Sequence, residues 1–119
     1  MGLIRAAAVT DVHVIVPDGI DDPTRPSGGN TYDLRVCDEI GAFGWSVRRQ
    51  VAFDLPRQLA RIPDGAVVLL DGLVASPAPD VLVPEADRLR QVVLVHMPLE
   101  NVREREVLEA AAAVVTTSE

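Results

Sequence analysis

Paired glycines follow the first apolar run of the chain and form its most suggestive chemical motif. The apolar run covers residues 12–17, and Gly28, Gly29 and Asn30 precede an amphipathic pattern that begins at Tyr32. Glycines let a backbone approach a ligand closely, and the first turn of a helix offers unpaired N–H donors to an anion. The spacing predicts a phosphate-binding turn, while a simple helix-capping turn stays open as the alternative.

Asp71 and His96 each stand at the end of an apolar run. In a parallel sheet the carboxyl ends of the strands face the ligand crevice, and a histidine there can donate a hydrogen bond or exchange a proton. A structural histidine satisfied by its surroundings is the alternative for His96. The chain has only two histidines and one cysteine, so we expect no metal site.

Several well-known catalytic motifs do not match the chain. The glycine turn fits neither the dinucleotide pattern G-x-G-x-x-G nor the P-loop, and no G-x-S-x-G elbow occurs. All 11 basic residues are arginine, which excludes any mechanism that needs a lysine. A receiver domain, in which Asp71 would be phosphorylated, needs both a lysine and an acidic pair after the first strand, and the chain has neither.

The composition is that of one acidic, globular domain. The chain has 119 residues and a net charge of −7, so it is a poor candidate for binding nucleic acid. No apolar run approaches the roughly 20 residues that a membrane-spanning helix needs, and no secretory signal pattern precedes the first strand. We therefore expect a cytoplasmic protein.

Apolar runs alternate with amphipathic segments along the chain. Strands are expected at residues 12–16, 46–53, 66–70, 92–96 and 113–117. Helices are expected at residues 32–43, 55–62, 79–89 and 102–111, the third of them broken or shortened by Pro84. Three strands are continuous apolar runs, which indicates a parallel sheet covered on both faces. The alternation predicts an α/β fold with a three-layer, doubly wound, mostly parallel sheet of about five strands.

The ligand crevice of such a sheet lies beside the point where the strand order reverses. We expect the first and fourth strands to flank that point, so that the glycine turn and His96 face each other. The last residues of the sequence follow the fifth strand directly. A complete domain would cover that strand with another helix, so we expect a fragment of a larger protein.

Four segments in a fixed order carry a resemblance to a known family. They are the glycine turn at residues 27–32, the Gly-Trp-Ser-Val segment at residues 44–47, the strand that ends in His96, and residues 103–118. Together they resemble the N-terminal half of retaining glycosyltransferases of the GT-B fold, of the family 4 type. Ala113 stands where that family often has aspartate.

The resemblance implies a function and a set of site residues. It implies a Rossmann-like, incomplete N-terminal GT-B domain over residues 1–119, which holds the acceptor, while an absent C-terminal domain binds the nucleotide-sugar donor. The residues carried over are Gly28, Gly29 and Asn30 for the donor phosphate and sugar, His96 for catalysis, and Tyr32 and Asp71 for the acceptor.

The expected activity is sugar transfer with retention of configuration, of the hexosyltransferase type, with the nucleotide-sugar as co-substrate and no metal or other cofactor. The expected partners are the donor, an unknown acceptor and the C-terminal domain, without which this chain should be inactive. Peripheral membrane association of the parent protein and a homodimer of the fragment stay open. The alternative is a non-catalytic flavodoxin-like or Rossmann-like binding or interaction module.

Overall fold

A computed structural model describes residues 11–17, 28–96 and 100–116, with residues 28–32 described by their backbone alone. Its strands are β1 (Asp11–Val16), β2 (Ser46–Val51), β3 (Val67–Asp71), β4 (Arg90–Val95) and β5 (Ala113–Thr116). Its helices are α1 (Gly28–Ala42), α2 (Leu55–Ala60), α3 (Gly72–Ala75), α4 (Pro79–Leu82) and α5 (Val102–Ala110), and a 3₁₀ turn spans Val83–Glu85.

The five strands form one parallel sheet in the order β2-β1-β3-β4-β5. Because the chain passes from β1 to β2 on one side and then crosses to β3 on the other, the strand order reverses between β1 and β3. The α/β, doubly wound parallel sheet is therefore confirmed. The expectation that the first and fourth strands flank the reversal is wrong, since β3 lies between them.

Apolar side chains cover both faces of the sheet, because successive residues of a strand point to opposite faces. On one face Val12, Val14 and Val16 of β1 pack with Cys37 of α1. On the other face Ile15 packs with residues of α2, α3, α4 and α5. The strands are apolar on both sides because helices cover both sides.

The main helix boundaries differ from the sequence prediction at two places. Helix α1 begins at Gly28 rather than at residue 32, so the paired glycines lie in its first turn and not in a preceding loop. Glycine has a low helix propensity, and the amphipathic pattern therefore placed the start too late. Residues 79–89 form α4 and the 3₁₀ turn at Pro84 instead of one helix, which confirms the expected break.

Helix α3 is a single turn that the sequence prediction missed. It follows β3 without a loop, because the Asp71 side chain caps it: Asp71 Oδ1 accepts a hydrogen bond from Leu73 N at 2.8 Å. Such a cap satisfies one of the unpaired N–H groups at a helix start. The residue that ends β3 therefore also fixes the direction of the chain beyond it.

Candidate functional site

Three side chains from separate elements meet at the carboxyl edge of the sheet. Asp71 is the last residue of β3, His96 directly follows β4, and Asp33 lies in the second turn of α1. Strands β3 and β4 are hydrogen-bonded neighbours in which Asp71 pairs with Leu94, so His96 comes close to Asp71. Helix α1 packs over β1 and brings Asp33 to the same point.

The imidazole of His96 contacts both carboxyl groups through one nitrogen. Its Nε2 lies 2.9 Å from Asp33 Oδ1 and 3.2 Å from Asp71 Oδ2. Asp33 and Asp71 are buried, with 1% and 2% of their surface exposed, whereas the His96 side chain keeps 16%. We call these three residues the Asp-Asp-His cluster, and His96 is its solvent-facing member.

The electrostatics of the cluster favour one extra proton. Burial is the largest cause that raises the pKa of Asp33 to about 9, and the adjacent Asp71 carboxyl contributes through a hydrogen bond and through its charge. A hydrogen bond between two carboxyl groups exists only when one of them is protonated. At neutral pH the two aspartates therefore share a proton, and the pair carries one negative charge instead of two.

Hydrogen bonds account for all but one of the carboxyl oxygens in the cluster. Asp71 Oδ1 accepts from Leu73 N, Asp71 Oδ2 faces His96, and Asp33 Oδ1 also faces His96. Within the described residues, Asp33 Oδ2 is buried and has no hydrogen-bond partner. A buried carboxyl oxygen without a hydrogen-bond partner costs free energy of folding, so this atom is a candidate contact for a bound ligand.

Gly72 lets the start of α3 approach the end of β4 beside the cluster. A Cβ atom at this position would lie 3.0 Å from the carbonyl oxygen of Leu94 and 3.6 Å from Val95 Cα. The absence of a side chain at Gly72 therefore permits the close packing of α3 against the end of β4. This contact supports the short distance between Asp71 and His96.

The structure brings together some of the residues that the sequence singled out. Asp71 and His96 contact each other, while Gly28 and Gly29 form the start of α1. The side chains of residues 28–32, including Asn30 and Tyr32, lie outside the described part of the structure.

Asp33 is the residue of the cluster that the sequence analysis did not single out. Its spacing contains the missed signal: Asp33, Cys37 and Ile40 share one face of α1, and Cys37 and Ile40 belong to the core. A carboxyl group on the apolar face of a helix is a buried carboxyl group. Its burial is what raises its pKa.

A second feature is an open cleft of about 440 Å³ between β2 and α2. Four arginines, Arg48, Arg49, Arg57 and Arg61, line it together with His13 and several other side chains. Acidic side chains pair with two of them: Asp11 contacts Arg48 at 3.1 Å and Asp54 contacts Arg57 at 3.7 Å. The arginine cleft is a less enclosed site than the cluster, and its charge is partly neutralised.

Comparisons with family models, with curated proteins and with solved structures find no match to this chain. The site must therefore be interpreted from its own chemistry. Among the described residues, no helix has the length and apolar character that crossing a membrane requires.

Proposed function

We propose that the chain is the acceptor-side domain of a cytoplasmic glycosyltransferase that moves a sugar from a nucleotide-sugar donor to an acceptor with retention of configuration. The observation that carries the proposal is a convergence in space. The segments that resemble the family include the start of α1 at Gly28 and the end of β4 before His96, and Asp33 of α1 contacts His96 at 2.9 Å. Sequence order alone does not require these segments to be neighbours.

The cluster offers hydrogen-bonding groups that match the hydroxyl groups of a sugar. Sugar hydroxyls both donate and accept hydrogen bonds, carboxylate oxygens accept them, and an imidazole can do either. Asp33 and Asp71 hold the His96 ring by its Nε2 atom, which fixes the orientation of the group that faces the solvent. In the proposal, His96 contacts the transferred sugar and Asp71 borders the acceptor side.

The start of α1 supplies the second part of the proposed site. Negative charge develops on the diphosphate as the nucleoside diphosphate departs, and N–H groups at the start of a helix stabilise such charge. Gly28 and Gly29 occupy this first turn. The family's second domain binds the donor's nucleotide, so turnover is expected to require both domains, and this chain alone is expected to bind the donor only weakly.

Sugar transfer by the polypeptide that carries both domains tests this proposal. His96→Asn is expected to lower kcat/KM roughly a hundredfold, in the range seen when one transition-state hydrogen-bond donor is removed. His13→Asn is the matched control, because His13 lies in the arginine cleft and outside the cluster. Transfer by His96→Asn at the rate of His13→Asn would remove His96 from the site.

A second candidate is a non-catalytic, flavodoxin-like binding module. The observation that favours it is the strand order β2-β1-β3-β4-β5, which is that of flavodoxin-like folds, whose ligand lies where β1 and β3 diverge. Titration of the chain with flavin mononucleotide separates the two candidates. Submicromolar flavin binding would favour the module and contradict the glycosyltransferase proposal.

A further inference from the structure

The Asp-Asp-His cluster has one negative charge more than its surroundings balance. Asp33 and Asp71 are both buried, and His96 is the only basic side chain of the described residues that contacts them. Burying a carboxylate without a compensating positive charge is costly. A shared proton leaves the two carboxyl groups with one negative charge, whereas a divalent cation with two carboxylates and a neutral imidazole gives a net charge of zero.

The spacing of the three side chains suits a metal ion. Two ligands bound at about 2.1 Å, with an angle of about 90–110° between them, lie about 3.0–3.4 Å apart. His96 Nε2 lies 2.9 Å from Asp33 Oδ1 and 3.2 Å from Asp71 Oδ2, and one ligand atom from each residue lies within 4.8 Å of the others. The two distances to His96 Nε2 are thus close to those between ligands that share one ion.

The unpartnered oxygen of Asp33 independently points to a ligand. Asp33 Oδ2 is buried without a hydrogen-bond partner, and the neighbouring Asp71 carboxylate offers only acceptors unless it is protonated. A cation would satisfy this oxygen as well as the charge. The partly exposed His96 side chain marks the route by which an ion can enter from solvent.

We propose that Asp33, Asp71 and His96 bind one divalent first-row metal ion, of the Mn²⁺ or Zn²⁺ class. One imidazole and two carboxylates form a mixed nitrogen and oxygen ligand set, which suits such ions better than Mg²⁺ or Ca²⁺. Three protein ligands leave coordination positions open, and a sugar hydroxyl is a suitable occupant. This inference goes beyond the proposed function, replaces the expectation of a metal-free site, and does not depend on sugar transfer.

Metal binding by the whole chain tests the inference. After removal of metals by dialysis against EDTA and then buffer, Mn²⁺ is titrated with detection by electron paramagnetic resonance, and Zn²⁺ by calorimetry. The expected result is one ion per chain. Asp33→Asn and Asp71→Asn are expected to weaken binding at least tenfold, and Asp71→Asn keeps the α3 cap because Asn is an equally good capping residue.

Asp64→Asn is the control, since Asp64 is an exposed carboxylate whose partner is Arg88, at 3.0 Å. It should bind Mn²⁺ like the original chain. The inference would be overturned if neither Mn²⁺ nor Zn²⁺ bound stoichiometrically. It would also be overturned if the Asp33→Asn and Asp64→Asn proteins, both folded by circular dichroism, bound the ions with equal affinity. A chain that binds Mn²⁺ but whose two-domain parent transfers no sugar would keep the metal site and refute the proposed function.

Discussion

Replacing Asp33 with asparagine should stabilise the metal-free protein, and more so as the pH rises. Asparagine has the same shape as aspartate, and its carbonyl oxygen can face His96 as Asp33 Oδ1 does. The substitution therefore keeps the contact with His96 and removes the carboxyl group whose raised pKa makes it hold a proton. Because an amide takes up no proton on folding, the variant does not lose stability as the pH rises in the way that the original chain does.

The size of the effect follows from the proton that the folded state retains. The pKa of Asp33 is about 9 in the folded protein and about 3.9 in an unfolded chain. Below the unfolded pKa both states are protonated, and the stabilisation is complete. Between the two values only the folded state is protonated, so its stability falls by about 1.4 kcal/mol per pH unit. From pH 5.5 to 7.5 the loss is at most about 3 kcal/mol.

Urea unfolding followed by circular dichroism measures this effect. The free energy of unfolding is determined at pH 5.5, 6.5 and 7.5, with EDTA present, for the original chain and for Asp33→Asn. The advantage of the variant should grow across this range by up to about 3 kcal/mol. Asp38→Asn is the control, because Asp38 is exposed on the same helix and should show a constant difference. A constant difference for Asp33→Asn would refute the shared proton.

Three further substitutions test the supports of the fold. Gly72→Ala should lower the free energy of unfolding by about 1–3 kcal/mol, because the new Cβ would lie 3.0 Å from the Leu94 carbonyl oxygen. Unchanged urea unfolding would contradict this close packing. Arg88→Lys should lower the melting temperature, because the guanidinium donates to two backbone carbonyls at the end of α2 and an ammonium cannot reproduce this pair of hydrogen bonds. Equal melting temperatures would show that the two hydrogen bonds are dispensable. Asn101→Ala should cost about 1 kcal/mol in urea unfolding, because Asn101 Oδ1 accepts from Glu104 N at 2.8 Å; an unchanged midpoint would argue against this cap.

The sheet could be predicted from the sequence because its signals are local. Continuous runs of Val and Leu marked residues 66–70 and 92–96, and the structure has β3 at Val67–Asp71 and β4 at Arg90–Val95. A helix was predicted at residues 55–62, and α2 begins at Leu55, where Asp54 Oδ1 accepts a hydrogen bond from Arg57 N. The strand order could not be predicted, since it depends on which strands pair over long distances in the chain.

Two residues of the candidate site could be predicted from the sequence, because their signals are also local. Asp71 and His96 end apolar runs, and the ends of parallel strands share one edge of the sheet. Their contact with Asp33 depends on how α1 packs on β1, which local patterns do not specify. Although β3 separates the first and fourth strands, His96 still reaches α1 beyond the end of β3.

The central claim is that the nucleotide-sugar binds at the Asp-Asp-His cluster and the start of α1. Titration of the ¹⁵N-labelled chain with a panel of nucleotide-sugars, followed by amide chemical shifts, tests it most directly, because this method detects weak binding and locates it. The largest shifts are expected at Gly29, Asp33, Asp71 and His96. Shifts confined to the arginine cleft around Arg61, or no shifts with any donor, would contradict it.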